Sequence, residues 1–197
     1  MSYFVYESSC VDEDIKIGKE SKGWYFCHPP KRARIGEKCS LEQNVNISNN
    51  VKIGDGVKIQ NNVSVYKGVE IEDDVFCAPS YVIFNDLIPR AKYPKGHENY
   101  KNTLIKRGAS IGANATIVCG HTVGEWALIR ADAVVASDVP AHALMFATPA
   151  IRKGWVCKCG SVLNEDLKCS CGRKCEYIFW GVLNKKKIDY SLYKEVA

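Results

Sequence analysis

Residues 45–71 read VNISNNVKIGDGVKIQNNVSVYKGVEI, and within this run a valine or isoleucine returns at every sixth position. A second apolar residue stands two places before each of these. An amphipathic helix repeats about every 3.6 residues and a plain strand about every two, so neither accounts for a period of six. The pattern indicates a short strand and a sharp turn, with three hexads completing one turn of a triangular solenoid.

The same register extends over most of the chain. Its apolar landmarks outside the quoted run are Val11, Ile17, Ile35, Leu41, Cys77, Ile83, Ile105, Ile111, Ile117, Val123, Ile129 and Val135. Three residues after a landmark the chain often carries a residue that tolerates positive φ, as at Asn44, Asn50, Gly56, Asn62, Gly68, Asp74 and Asn114. The predicted fold class is therefore all-β, a parallel β-helix with one narrow apolar core. Cys27, Cys39 and Cys77 stand at inward positions and are predicted to be buried.

Composition excludes several broad classes of function. The chain has 197 residues, 46% hydrophobic and 25% charged, which is ordinary for a soluble protein. No stretch has the length of a membrane span and the first residues lack the pattern of a signal peptide, so we expect a cytoplasmic protein without a membrane partner. The net charge of +5 favours small anionic ligands. No stripe of Lys and Arg with interleaved aromatic residues indicates nucleic-acid binding.

Two breaks in the repeat divide the chain. Residues 84–104 lack the period and contain two prolines, so we predict a loop extruded from one corner of the solenoid; loops of this length are usually functional or disordered. Residues 139–155 also lack the repeat and are predicted to leave the coil and cap its end. We assign residues 1–155 to the β-helix domain and residues 156–197 to a Cys-rich C-terminal appendage.

Several strings resemble the hexapeptide-repeat acyltransferases, whose fold is a left-handed parallel β-helix. They are GWYFCH (23–28), KIQNNVSVY (58–66), VFCAPS (75–80), FNDLIPRA (84–91), NTLIKRGASIGANATIVCG (102–120) and PAIRKGW (149–155). They resemble enzymes that acetylate the 3-amino group of a UDP-linked 2,3-diamino-2,3-dideoxy-glucuronate for surface polysaccharides such as lipopolysaccharide. They also resemble the enzymes that act on dTDP-3-amino-3,6-dideoxyhexoses. A non-catalytic β-helix scaffold is the remaining alternative.

The resemblance implies a homotrimer, acetyl-CoA as the acetyl donor, a nucleotide-sugar acceptor and active sites between subunits. Among catalytic candidates, Asn85 matches the asparagine of the family's loop motif, and its amide can hold the sugar amine or donate to the developing oxyanion. The alternative is a loop-starting asparagine. Asp86 is predicted to orient the amine or to act as a base. His28 matches a histidine of the glucuronate-type enzymes and is a candidate base, with a surface histidine as the alternative.

Substrate and donor contacts follow from the same resemblance. Arg90 is a candidate clamp for a sugar carboxylate or phosphate, and Gln60, Asn61 and Tyr66 are candidates for facing the nucleotide sugar. Ser110, Gly112, Ala113 and Asn114 are predicted to lend backbone groups to the pantetheine of acetyl-CoA. Arg130 and Asp132 replace glycines that are usual in the family, and Arg130 would contact a CoA phosphate or obstruct the channel. His121 stands at the second inward position of its hexad, two residues before the landmark Val123. A histidine there indicates a distorted corner or a local polar contact.

The C-terminal segment CKCGSVLNEDLKCSCGRKC (157–175) contains two Cys-x-Cys-Gly units. They resemble a zinc ribbon with shortened knuckles, and four thiolates are what structural zinc requires. The predicted ligands are Cys157, Cys159, Cys169 and Cys171, with Cys175 as an alternative to Cys171. Disulfides and free thiols are the other possibilities.

Overall fold

The structure, a computed structural model, describes residues 2–12, 14–178 and 192–196. It is a parallel β-solenoid with three faces, here called A, B and C. The strands of face A are β1 (Phe4–Val5), β3 (Lys22–Gly23), β5 (Ser40–Leu41), β8 (Lys58–Ile59), β11 (Phe76–Cys77), β14 (Ser110–Ile111), β17 (Leu128–Ile129) and β19 (Ala143–Phe146). Eight coils are therefore stacked along this face, and the predicted all-β solenoid is confirmed.

The other two faces are built in the same way. The strands of face B are β2 (Lys16–Ile17), β4 (Arg34–Ile35), β7 (Lys52–Ile53), β10 (Val69–Ile71), β13 (Thr103–Ile105) and β16 (Thr122–Val123). The strands of face C are β6 (Asn46–Ile47), β9 (Ser64–Val65), β12 (Val82–Ile83), β15 (Thr116–Ile117) and β18 (Val134–Val135). His28 extends face C by a parallel bridge to Asn46.

The strands are mostly two residues long, so each directs one side chain outward and the next inward. The inward side chains are the landmarks of the six-residue repeat, and Ile59, Ile83, Ile117 and Ile129 are all fully buried. Cys27, Cys39 and Cys77 are buried among them, as predicted. Burial of this continuous apolar column is the main favourable contribution to folding, because no single coil can cover its own inner face.

The turns between strands repeat one backbone conformation. Positive φ recurs at every sixth residue from Asp14 to Ser80, as at Lys38 (56°), Asn50 (61°) and Gly56 (67°). It returns after the loop, as at Asn114 (56°) and Trp126 (55°). The predicted turn positions are therefore confirmed. The tight turns also bring successive coils close together, and a Cβ on Gly36 would overlap the backbone of Gly54.

One loop interrupts the solenoid. Paired residues in neighbouring coils are usually 18 apart, as for Lys52 and Glu70, but Glu70 pairs with Leu104, which is 34 residues further on. The loop contains a short 3-10 helix, His97–Asn99. It ends at Asn102, two residues earlier than predicted, because Thr103 begins β13 and its side chain is buried.

The C-terminal end of the solenoid differs from the prediction in one respect. Residues 139–146 do not leave the coil: Val139 bridges to Val123 and β19 continues face A. The cap begins with β20 (Ile151–Trp155), which pairs antiparallel with β19. Beyond it, β21 (Lys174–Ile178) and β22 (Leu192–Val196) pair antiparallel with each other. The domain boundary after residue 155 stays a prediction.

Within the described ranges, no helix combines the length and the apolarity that crossing a bilayer requires.

Candidate active site

Asn85 lies where face C ends and the chain leaves the solenoid. Its Nδ2 donates a hydrogen bond to the carbonyl oxygen of Lys67, 3.2 Å away. Its own backbone carbonyl accepts a hydrogen bond from the Lys101 amide at 2.9 Å, so the two ends of the loop meet at this residue. In the part of the chain that the structure describes, no donor reaches the Asn85 side-chain oxygen. Asn85 is held in place with one acceptor atom free for a ligand.

Three ionisable side chains surround this point. Asp86 follows Asn85, and its Oδ1 accepts a hydrogen bond from the Ile88 amide at 3.0 Å, which shapes the start of the loop. Burial raises the pKa of the Cys119 thiol; the charge of Asp86 raises it further, and the charge of Lys101 opposes the rise. We call Asn85, Asp86, Lys101 and Cys119 the loop root. The sequence does not indicate Lys101 or Cys119, because the length of the loop hides which coil covers Asn85.

The loop itself is exposed. The Arg90 guanidinium donates a hydrogen bond to the carbonyl oxygen of its neighbour Pro89, 2.9 Å away. Its role as a substrate clamp stays a prediction. Leu87, Ile88 and Tyr93 are 46%, 56% and 67% exposed, although all three are large apolar side chains. A loop with this composition is suited to packing against another surface.

The predicted nucleotide-sugar residues are divided between two corners of the solenoid. Tyr66 lies at the corner of the loop root and is 45% exposed. Gln60 and Asn61 lie at the opposite edge of face C, where face A ends. Gln60 lines a cavity of about 910 Å³ on face A. The Asn61 carbonyl accepts a hydrogen bond from the Ser80 amide at 3.0 Å. Within one subunit, the structure therefore does not bring Gln60 or Asn61 to Asn85.

The residues predicted to hold acetyl-CoA cluster at this second corner. Ser110 is on β14, and Gly112, Ala113 and Asn114 form the turn that follows. A Cβ on Gly112 would overlap the backbone of Arg130 and Ala131 in the next coil, so stacking of the coils alone requires this glycine. The Arg130 guanidinium lies 5.3 Å from the centre of the Phe146 ring. Arg130 is thus drawn towards the solenoid's end by a cation–π contact.

His28 lies at the beginning of face C. Its Nε2 is 3.9 Å from Asp12 Oδ1, and Cys10 completes a group whose ligand atoms all lie within 4.8 Å of one another. Asn46 and Ser64 stand between His28 and Val82 along face C, a distance on the order of 15 Å at ordinary strand spacing. His28 is therefore remote from the loop root of its own subunit.

His121 lies closer to the loop root. Its Nδ1 is 3.6 Å from Asp138 Oδ1, and that carboxylate oxygen also accepts a hydrogen bond from the Thr122 amide at 2.8 Å. The local polar contact expected for this unusual landmark is present, and the His121 side chain is 28% exposed. It borders a cavity of about 420 Å³ together with Gly68, Asn102 and Gly120. The signal in the sequence is a histidine at an inward position that mostly carries apolar residues.

The four C-terminal cysteines predicted as metal ligands come together. Their Sγ atoms lie within 4.8 Å of one another. Burial raises the pKa of Cys157 to about 12, whereas hydrogen bonds with Ser161 lower the pKa of Cys159 to about 6. The side chain of Cys175 lies outside the described part of the structure. This donor set suits a soft cation such as zinc.

Comparison with known proteins supports the resemblance found in the sequence. Residues 32–67 match the bacterial transferase hexapeptide family (six repeats). A segment of 83 residues is 43% identical to the dTDP-3-amino-3,6-dideoxy-α-D-galactopyranose 3-N-acetyltransferase of Aneurinibacillus thermoaerophilus, and covers 41% of this chain and 43% of that protein. A 58-residue segment is 41% identical to the bifunctional protein GlmU of Thermotoga petrophila, covering 28% of this chain and 13% of GlmU. These matches thus span less than half the length of either relative.

Solved structures share the fold. The GDP-perosamine N-acetyltransferase of Caulobacter crescentus, crystallised as a mutant with CoA and GDP-perosamine, has a TM-score of 0.55 at 17% identity, covering 78% of this chain and 57% of that one. A mutant of the N-acyltransferase AntD of Bacillus cereus, solved with dTDP and coenzyme A, has a TM-score of 0.51 at 14% identity, covering 75% of this chain and 84% of that one. The predicted hexapeptide-repeat solenoid is confirmed by both kinds of comparison.

Proposed function

We propose that this chain transfers an acetyl group from acetyl-CoA to the amino group of a nucleotide-linked amino sugar. The observation that carries the proposal is the segment 43% identical to a nucleotide-sugar N-acetyltransferase, on a solenoid whose loop is rooted at a fixed asparagine. Two solved structures that share the fold contain coenzyme A, which supports acetyl-CoA as the donor. Acetyl-CoA would be a cosubstrate that leaves as CoA, and not a resident cofactor.

The chemistry is an acyl transfer. The uncharged amine attacks the thioester carbonyl, a tetrahedral oxyanion forms, and its collapse breaks the C–S bond and expels the CoA thiolate. The amine proton passes to a protein base or to that thiolate, which balances the reaction. Holding the two reactants in line supplies a large part of such rate enhancements, and fixed hydrogen-bond donors near the oxyanion supply more.

Asn85 is proposed to bind the acceptor amine. Its Nδ2 is engaged by the Lys67 carbonyl, so its side-chain oxygen is the atom that can accept a hydrogen bond from the amine. Such a bond would direct the nitrogen lone pair away from Asn85 and towards the thioester. Asp86 is proposed to orient the amine or to accept its proton.

His121 is a second candidate base. The contact with Asp138 orients the imidazole, and its partial exposure beside a cavity gives a substrate access to the ring. A histidine held by a carboxylate is a common arrangement for proton transfer near neutral pH. His28, also held by a carboxylate, stays a candidate only if a neighbouring subunit brings it to the substrate.

A homotrimer would join the two halves of this site. Asn85 and the 112–114 turn occupy different corners of one subunit, with face C between them. A neighbouring subunit whose loop root met this subunit's 112–114 turn would place amine and thioester together. The exposed Leu87, Ile88 and Tyr93 give the loop apolar surface for such an interface.

Two acceptors remain in the proposal. The relative at 43% identity acts on a neutral dTDP-3-amino-3,6-dideoxyhexose. The loop string FNDLIPRA favours a UDP-linked 2,3-diamino-glucuronate, because Arg90 offers a guanidinium for the sugar carboxylate. A UDP-uronate would need that contact, and a neutral sugar would not.

Mass spectrometry of products separates these acceptors. Incubation of the purified protein and acetyl-CoA with a panel of UDP- and dTDP-linked 3-amino sugars should yield one acetylated product. Acetylation of only the uronate supports the first acceptor, and acetylation of only the neutral hexose supports the second. If no sugar is acetylated and a calorimetric titration shows no CoA binding, the chain is a non-catalytic scaffold.

A further inference from the structure

We infer that Cys157, Cys159, Cys169 and Cys171 bind one structural zinc ion that closes the C-terminal end of the solenoid. This assignment is independent of the proposed transferase activity. A tetrahedral zinc tetrathiolate has Zn–S distances of about 2.3 Å, so its sulfur atoms lie about 3.8 Å apart. The Sγ atoms of Cys157 and Cys171 are 3.7 Å apart, and those of Cys159 and Cys169 are 3.4 Å apart. All four thiols are free and close enough to share one ion.

Two equivalent turns deliver the four sulfur atoms. In the first, the Gly160 amide donates to the Cys157 carbonyl at 2.8 Å, and Gly160 has φ of 87°. In the second, the Gly172 amide donates to the Cys169 carbonyl at 3.1 Å, and Gly172 has φ of 84°. Each Cys-x-Cys-Gly unit thus folds back at a left-handed glycine and directs both of its thiols to the same point.

The surroundings of the sulfur atoms suit thiolates. The Cys171 amide lies 3.4 Å from Cys169 Sγ, and the Arg173 guanidinium lies 3.7 Å from Cys171 Sγ. Ser161 Oγ is 3.4 Å from Cys159 Sγ. Four thiolates around Zn²⁺ leave a net charge of −2, and donors of this kind stabilise it. Four sulfur ligands also leave no open position for a substrate, so the site is structural and not catalytic.

The position of the cluster indicates what the metal does. Cys157, Cys169 and Leu163 are buried and belong to the same apolar cluster as the inward isoleucines of the solenoid. The Val156 amide donates to the His142 carbonyl at 2.8 Å, and the Leu163 amide donates to the Trp155 carbonyl at 2.9 Å. A solenoid must cover the open core of its last coil. Zinc would fix the segment that covers it.

Metal analysis tests the site directly. Protein purified without chelators is expected to carry about one zinc per chain, and cobalt reconstitution should give the absorption of a tetrahedral cobalt thiolate. The variant with both Cys159→Ser and Cys171→Ser changes exposed ligands only, so folding is less at risk than with the buried pair. Its zinc content per chain should be about one tenth of the wild-type value or less.

Matched variants give the controls. Cys10→Ser removes a cysteine of the Cys10–Asp12–His28 group and should leave the zinc content unchanged. Cys175→Ser tests the alternative fourth ligand and should also leave it unchanged. The assignment is overturned if folded wild-type protein carries no zinc, if the double variant keeps it, or if peptide mapping finds disulfides among the four cysteines. None of these readouts depends on acetyl transfer.

Discussion

The Asn85 side-chain amide donates a hydrogen bond to the Lys67 backbone carbonyl, 3.2 Å away in the preceding coil. Residue 67 stands one coil, 18 residues, before residue 85, so the rigid stack of coils positions a side chain at the base of an exposed loop. A reactive group on a loop gains precision when the scaffold fixes its orientation. This contact makes Asn85 the best-supported acceptor-binding residue of the proposed transferase.

Asn85→Ala should reduce kcat/KM at least about tenfold, since the amine would lose the acceptor that orients it. The oligomeric state and the unfolding midpoint should change little, because one exposed hydrogen bond contributes about 1 kcal/mol. Asn49→Ala makes the same chemical change at the equivalent turn position two coils earlier, and it should leave the kinetics unaltered. Steady-state kinetics with the accepted sugar decide the point, and unchanged kinetics in Asn85→Ala would remove this residue from the mechanism.

His121→Ala tests the second candidate base. If His121 takes the amine proton, kcat should fall by about a hundredfold or more. Asp138→Asn keeps the imidazole but removes the carboxylate charge beside it, so the fall in kcat should be smaller than in His121→Ala. An unchanged kcat in both variants would exclude His121 as the base and leave Asp86 or the departing CoA thiolate to accept the proton.

Alkaline stability should depend on Cys77. Burial raises the pKa of this thiol to about 12 in the folded state, compared with an ordinary value of 9.0. As pH rises above 9, the unfolded chain loses the proton first, so stability falls by roughly 1.4 kcal/mol per pH unit for this group. Below pH 9 this contribution is fully retained. Tyr81, whose pKa burial also raises, adds to the loss at higher pH.

Urea denaturation at several pH values from 8 to about 11 measures this slope. Cys77→Ala should be less stable at pH 8 because it leaves a small cavity, but its free energy of unfolding should fall less steeply with pH. Cys10→Ala, which removes an exposed thiol, should keep the wild-type slope. An identical slope in Cys77→Ala would show that other groups account for the alkaline loss.

Lys38→Gly should stabilise the protein. Lys38 has φ of 56°, a conformation that costs a non-glycine residue about 1–2 kcal/mol, and this exceeds the entropic cost of a glycine. We expect a gain of about 0.5–1 kcal/mol in the free energy of unfolding. Lys58→Gly makes the same change within strand β8 and should lower stability by a similar amount. The comparison fails if both variants shift the denaturation midpoint in the same direction.

The repeat made the core predictable. Each coil contributes the same few inward positions, so a period of six identifies buried residues such as Ile59 and Ile117 without knowledge of the partners they contact. The same regularity identifies the left-handed turn positions, because glycine and asparagine recur there at Asn50, Gly56 and Asn62. The loop ends two residues earlier than the sequence predicts, because Thr103 begins β13 and its side chain is buried.

The candidate site was less accessible to sequence reasoning. Asn85 and Asp86 were found because they open an irregular segment. Lys101 and Cys119 were not, because the pairing of coils across the loop depends on its length. The Cys-x-Cys-Gly spacing predicted the four metal ligands, but only the paired turns show that all four sulfur atoms converge.

The three-sided solenoid follows from the amino-acid sequence, since local turn preferences and a periodic apolar pattern act within one hexad and its neighbours. Which side chains share a corner depends on how the coils stack in three dimensions. This stacking separates Asn85 from the 112–114 turn by the width of face C, and it places His121 beside Asp138. Such proximities arise because stacked coils bring together residues that are 16 to 34 positions apart in the sequence. Local sequence patterns do not indicate which residues at that separation will meet.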